Sequence, residues 1–185
     1  MQFNKHTLSV AIALAIVGLP YSTYAMTVEE AYMTLSHHRP MFNPTMAHIA
    51  DDESLYLRQL FDIIDRAVRE RVQTMAWLQS TAASAEPSDQ YNELISRLWA
   101  LQPPSRLAHV HQVVREAIEE QRDVLRQWRP LRGTSEHVVT MQHPLVQDSS
   151  RKLHQVYDEI VQLFPGAGEH NRQAFYDYFC CLDFL

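Results

Sequence analysis

One stretch of the sequence decides the fold: residues 52–79, which read DESLYLRQLFDIIDRAVRERVQTMAWLQ. Its apolar side chains recur at steps of three and four, the spacing of a single stripe along an α-helix. The stripe consists of Leu57, Leu60, Phe61, Ile64, Val68, Val72, Met75 and Leu78. On the opposite face, Asp62–Arg66 and Asp65–Arg69 have the i,i+4 spacing of helical ion pairs. We therefore predict a long amphipathic helix from Asp52 to Gln79.

Prolines separate this stretch from further blocks with the same periodicity. They are Pro40, Pro44, Pro87, Pro103, Pro104, Pro130, Pro144 and Pro165. Because a proline inside a helix costs about 3 kcal/mol, their distribution favours an all-helical chain. The additional helices are predicted over residues 27–37, 88–101, 105–129, 148–164 and 169–183, with Thr27 and Ser88 as N-caps. The expected fold is all-α: an up-and-down bundle of four main helices, with a short N-terminal helix and a C-terminal aromatic helix.

The first 25 residues have the three-part pattern of a secretory signal peptide. Lys5 supplies a positive start, an apolar run follows, and Thr23 and Ala25 provide the small residues of a cleavage site. The run is shorter than the roughly 20 residues that span a bilayer, so we expect no transmembrane segment after cleavage. The expected domains are a cleaved signal peptide, residues 1–25, and a single helical bundle, residues 26–185, exported to the periplasm or the extracellular space.

The charge of the chain excludes one class of partner. The sequence has 16 Lys and Arg against 22 Asp and Glu, without a basic run. A nucleic-acid-binding domain needs a concentrated positive surface to neutralise phosphates. We therefore expect no nucleic-acid partner.

A cluster of methionines and histidines follows the predicted cleavage site. It contains His37, His38, Met41, Met46 and His48. Thioether and imidazole groups are ligands that suit copper, so one hypothesis is a copper site in this segment. The alternative is structural, because methionine also fills irregular gaps in a core. We expect no cofactor, with copper or noncovalent haem as the alternative.

Other histidines are weaker candidates for a metal site. His109 and His111 are two residues apart and point in opposite directions on a helix, so they cannot share an ion. His154 and Asp158 have the i,i+4 spacing of a helical pair, for which we predict a surface hydrogen bond.

The longest predicted connection, residues 130–147, has polar groups that could meet a ligand. They are Arg132, Glu136, His137 and His143. Long connections in compact domains are often functional. The alternative is that Val138 and Val139 pin this segment to the bundle as a cover.

The two cysteines are adjacent, at Cys180 and Cys181, in the predicted C-terminal helix. They could be buried thiols, link two protomers through a disulfide, or form a strained vicinal disulfide. Cys181 falls near the apolar stripe and Cys180 near the opposite side, so Cys180 is the candidate for an intermolecular bond. The segment around them is apolar or aromatic on nearly every side, which favours either burial or contact with a partner.

Motifs for catalysis are not found in the sequence. Neither G-x-S-x-G nor H-E-x-x-H occurs. We therefore expect an exported, non-enzymatic helical bundle that binds a protein or small ligand of unknown identity, with a homodimer through the C-terminal helix as one form of partner.

Overall fold

The computed structural model describes residues 32–33, 41–46, 48–79, 85–133 and 142–183. Within these ranges it has five α-helices: α1 Asp51–Gln79, α2 Tyr91–Ala100, α3 Ala108–Trp128, α4 Pro144–Leu163 and α5 Gly168–Leu182. Short 3-10 turns lie at Pro44–Met46, Ser105–Leu107 and Arg129–Leu131. These ranges contain no strand, and the prediction of an all-α protein is confirmed.

The helix α1 is the long amphipathic helix predicted from its stripe. Leu57, Leu60, Ile64 and Val68 are fully buried, which explains why this stretch forms a helix against a core. The predicted surface pair is also present, with Arg66 Nε 3.3 Å from Asp62 Oδ2.

Three helices begin three or four residues away from their predicted starts: α2 at Tyr91, α3 at Ala108 after the turn Ser105–Leu107, and α4 at Pro144. Ser88 is the predicted cap of the helix over residues 88–101, but α2 begins at Tyr91, whose backbone N–H donates to Asp89 Oδ1 at 3.1 Å. The predicted start at residue 148 of the helix over residues 148–164 is also wrong, since α4 begins at Pro144. Proline suits the first position of a helix, where its missing N–H costs nothing. The ring of His143 caps α4 by accepting from the Leu145 N–H at 3.3 Å.

The core is one cluster to which all five helices contribute. The helix α3 packs most extensively on α4, and α5 lies against both α4 and α1. Phe175, Phe179 and Leu182 of α5 are fully buried. Of the two alternatives for the aromatic C-terminal block, burial applies to this side of α5.

Several predictions fall on parts of the chain that the structure does not describe. The signal peptide and most of the predicted first helix lie outside the described residues, as do Glu136 and His137. Among the described helices, none is both long and apolar enough to cross a membrane.

Candidate functional site

The helix α5 brings together more of the chemistry singled out above than any other described element. One side of it is buried through Asn171, Ala174, Phe175, Phe179 and Leu182. The opposite side includes Tyr176, which is 45% exposed. The helix therefore has a face fixed in the core and a face available to another molecule.

The C-terminal end of α5 is held by side chains from other helices. Arg71 of α1 donates from one guanidinium nitrogen to the backbone oxygen of Cys181 at 2.7 Å and from another to that of Asp183. Gln121 of α3 donates to the backbone oxygen of Leu182. A helix leaves its last carbonyls without partners within the helix. Arg71 and Gln121, here called the clamp, supply donors to three carbonyls at this end.

A second contact fixes the residue that follows α5. The Ser150 hydroxyl of α4 donates to Asp183 Oδ2 at 2.6 Å, and His154 Nε2 lies 3.6 Å from the same oxygen. In a catalytic triad the histidine stands between the serine and the carboxylate. Here the carboxylate stands between them, so the Ser150 hydroxyl hydrogen-bonds the weakly basic carboxylate of Asp183 and not a histidine. The close contact of His154 with Asp183 also differs from the predicted pairing with Asp158.

The exposed side of α5 forms a small aromatic surface with α4. The rings of Tyr157 and Tyr176 meet edge to face, with centroids 5.5 Å apart. Cys180 lies one turn further along α5, close enough to Tyr176 for each side chain to influence the pKa of the other. We call Tyr157, Tyr176 and Cys180 the tyrosine patch.

The chemistry of Cys180 is that of a protonated thiol. Burial raises the pKa of Cys180 to about 12, and nearby Asp183 and Cys181 oppose its ionisation further. Because the thiolate is the reactive form of cysteine, this side chain is a poor nucleophile near neutral pH. Burial and the facing Cys180 also raise the pKa of Tyr157, and Cys180 is the main cause of the raised pKa of Tyr176.

Both cysteines are free thiols and partly exposed. Cys181 packs against the hydrophobic core, whereas Cys180 belongs to the tyrosine patch. The helix α5 continues through both residues to Leu182. Whether Cys180 links two protomers stays a prediction.

Most of the predicted copper ligands have side chains that the structure does not describe. His37 and His38 lie outside the described residues, as does the side chain of Met46. Met41 is 83% exposed, and His48 is exposed. In the ranges that the structure describes, no three His, Cys, Asp or Glu side chains are grouped so that they could hold a metal ion. The copper hypothesis stays a prediction.

The remaining histidines have separate partners. The exposed His109 lies 2.6 Å from Glu159 Oε2, and the buried His111 hydrogen-bonds the Tyr56 hydroxyl at 3.0 Å. As predicted, they point to different sides of α3.

The long connection, residues 130–147, is packed onto the bundle by two of its predicted candidates. His143 packs its ring edge-on to Trp128, and the Arg132 guanidinium lies 4.2 Å from the ring centre of Trp77. These two side chains thus help to pack the connection onto the bundle.

Sequence reasoning missed the polar residues that organise α5. Asn171 and Gln121 are fully buried, and Arg71 is nearly so. A signal was present, because Asn171 precedes Ala174 and Phe175 by three and four residues and so belongs to the apolar stripe of its helix. A polar residue on a core stripe needs a partner, but the sequence does not say which one.

The described surface has open grooves. One lies on the outer face of α4, among Arg151, His154 and Asp158, and another lies between α1 and α2, with Ile63 and Leu101 in its lining. No protein-family model matches this chain, and comparison with curated proteins and with solved structures finds no significant similarity.

Proposed function

We propose that this chain is an exported, non-enzymatic helical bundle that binds another protein through the tyrosine patch on α4 and α5. The single observation that carries the proposal is the pairing of the exposed ring of Tyr176 with the partly buried ring of Tyr157, beside Cys180. Tyrosine is enriched at protein interfaces because it offers a large apolar area together with a hydroxyl that can hydrogen-bond.

The clamp supports this role because it makes the patch rigid. Arg71 and Gln121 hold the last turn of α5, and Asp183 is tied to Ser150 of α4. The two helices that carry the patch are therefore fixed relative to each other. A surface that is already ordered loses less conformational entropy when it binds.

The bonding of the reactive side chains supports a binding role over catalysis. Ser150 donates to a carboxylate, and Cys180 has a raised pKa. Burial and the charge of Arg115 lower the pKa of His111, whose ring is bonded to Tyr56. Each of these groups contributes to packing in a state that disfavours its action as a nucleophile or a general base.

The proposal is tested by site-specific photo-crosslinking in the cell that exports the protein. A benzophenone amino acid replaces Tyr176 in one variant and Trp99 in the control, because Trp99 of α2 is also exposed, at 60%. We expect one discrete adduct from position 176 that position 99 does not give. An adduct of twice the chain mass would identify the partner as a second copy. No adduct from position 176, or the same adducts from both positions, would contradict the proposal.

A further inference from the structure

The segment that precedes α1 lies on α5 in the manner of a bound peptide. We call residues 41–46 the strap. The backbone N–H of Asn43 donates to Asn171 Oδ1 at 2.8 Å, and Asn171 Nδ2 donates to the backbone oxygen of Asn43 at 2.7 Å. Asn171 is fully buried. Its amide therefore pairs with both main-chain groups of one strap residue, as the edge of a sheet pairs with an added strand.

An aromatic anchor accompanies this main-chain pairing. The ring of Phe42 lies with its centroid 5.4 Å from that of Phe61 and 5.7 Å from that of Phe175. Beside it, His170 Nε2 donates to the backbone oxygen of Met41 at 2.7 Å. We call Phe61, His170, Asn171 and Phe175 the socket. The socket holds the strap through a ring on one side and main-chain hydrogen bonds on the other.

The connection between the strap and α1 is short and strained. His48 has a φ of +50°, in the left-handed region that non-glycine residues seldom adopt. Such a conformation persists only where the surrounding structure holds it. Only a few residues separate the strap from the start of α1 at Asp51. The strained conformation belongs to the turn that lets the strap reach the socket of its own chain.

We propose that the strap exchanges between two copies of this chain, so that Phe42 and Asn43 of each copy occupy the socket of the other. Every contact between strap and socket is also available between two copies, because both carry the same residues. Straightening the turn at His48 would release its strain, and short strained hinges favour this kind of exchange. The occupant of the socket in the dimer is thus the strap of a second copy.

This exchange goes beyond the proposed function, and it uses a different side of α5. The socket residues Asn171 and Phe175 belong to the buried side of the helix, whereas Tyr176 is on the exposed side. A Tyr176→Ser variant should therefore still exchange its strap. Failure of the crosslink at position 176 and failure of the exchange are separate results.

The decisive test mixes two variants, one with a defective strap and the other with a defective socket. Phe42→Ala keeps an intact socket but has a weakened strap, and Asn171→Leu keeps an intact strap but cannot pair with one. Native mass spectrometry follows the full-length variants, one of them isotopically labelled, alone and in equal mixture. The heterodimer has one intact strap–socket contact, and both defects fall on the other. Because two changes within one contact cost less than the sum of their separate effects, we expect the mixture to form this heterodimer in excess over the homodimers that either variant forms alone. No excess of heterodimer in the mixture would overturn the proposal.

Substitutions at the hinge give an independent measurement. His48→Pro fixes φ near about −65°, which excludes the closed turn, so we expect the dimer fraction to rise at equal protein concentration. His48→Gly accepts a positive φ without strain, so we expect the fraction to fall. The reverse order of these two variants would overturn the proposal. Should His48→Pro fail to fold, as judged by circular dichroism, the comparison of His48→Gly with the unsubstituted chain decides in its place, and an unchanged or higher dimer fraction overturns the proposal.

Discussion

Arg71 shows how much of this architecture depends on single polar side chains. It joins the middle of α1 to the end of α5 through two backbone oxygens, and only 6% of the residue is exposed. Additional apolar contacts in the core could not replace Arg71, because the backbone carbonyl groups at the end of a helix need hydrogen-bond donors. One side chain on α1 thus fixes the helix that presents the tyrosine patch.

Replacing this side chain should destabilise the protein markedly. Arg71→Met leaves two carbonyls without their donor, and each unsatisfied buried group costs about 1–3 kcal/mol. Urea unfolding of the variant should therefore show a loss of about 2–6 kcal/mol. Arg66→Met is the control on the same helix, since Arg66 pairs with Asp62 at the exposed surface, where such pairs contribute about 1 kcal/mol or less. Equal losses for both variants would show that Arg71 does not act as a clamp.

His111 should make the stability of the fold sensitive to acid. Burial, followed by the charge of Arg115, lowers the pKa of this histidine in the folded state. Below about pH 6.5, the unfolded chain therefore binds a proton that the folded chain resists, and stability falls as the pH falls. Urea unfolding across this range should show a smaller acid-induced loss for His111→Gln than for the unsubstituted protein. An equal loss in both would contradict this role, and His109→Gln, at an exposed site, serves as the control.

The seam between α3 and α4 is organised around one lysine. Lys152 of α4 lies 3.4 Å from Glu116 Oε2 and 3.1 Å from Asp148 Oδ2, and it also contacts Glu120. Burial raises the pKa of Glu120, while Arg151 and then Lys152 lower that of Asp148 to about 2. The lysine thus neutralises a group of carboxylates that would otherwise repel one another.

Removing this cation should make the seam depend on pH. Lys152→Met is expected to lower stability at neutral pH, because three carboxylates then lack their shared partner. Without the lysine the pKa of Glu120 rises further above its unfolded value, so protonation favours the folded state and the deficit should shrink by about pH 5. Thermal unfolding in buffer without denaturant, at neutral pH and at about pH 5, measures this change. A deficit that stays constant or grows in acid would refute it, and Arg66→Met, which removes one partner of an exposed ion pair outside the seam, is the control.

The elements differ in how far the sequence determines them. The stripe of α1 predicts its helix because many apolar residues recur with the same helical period. One residue that departs from this period does not alter the prediction. The start of α2 depends on whether Ser88 or Asp89 reaches the backbone, and the start of α4 depends on the ring of His143. Helix ends are decided by single hydrogen bonds, for which several neighbouring residues compete. Periodicity does not resolve that competition.

The candidate site was harder to predict than the helices for a related reason. The sequence indicates that Cys180 and Tyr176 share a helix, and it places Cys180 away from the core stripe. It does not indicate that Tyr157 approaches them, because that contact joins α4 to α5 across the bundle. The clamp and the socket are likewise made from residues far apart in the chain, such as Arg71 with Cys181 and Asn43 with Asn171.

In the molecule as a whole, α5 connects the core, the strap and the proposed binding surface. Its buried side packs on α1 and α4, Asn171 holds the strap, and Tyr176 faces outward. A change at one of these contacts should therefore affect the others through the position of a single helix. This is the physical basis for expecting that partner binding depends on the clamp.

The most direct test of a partner-binding role is the native mass of the chain recovered from the exported fraction after mild crosslinking, without reductant. We predict a polypeptide that begins near Met26 and carries one stoichiometric protein partner, and a Tyr176→Ser variant that has lost this partner while its fold is retained. A mature chain that is recovered with no partner beyond a strap-exchanged second copy, or a partner other than such a copy that remains after Tyr176→Ser, would contradict the account.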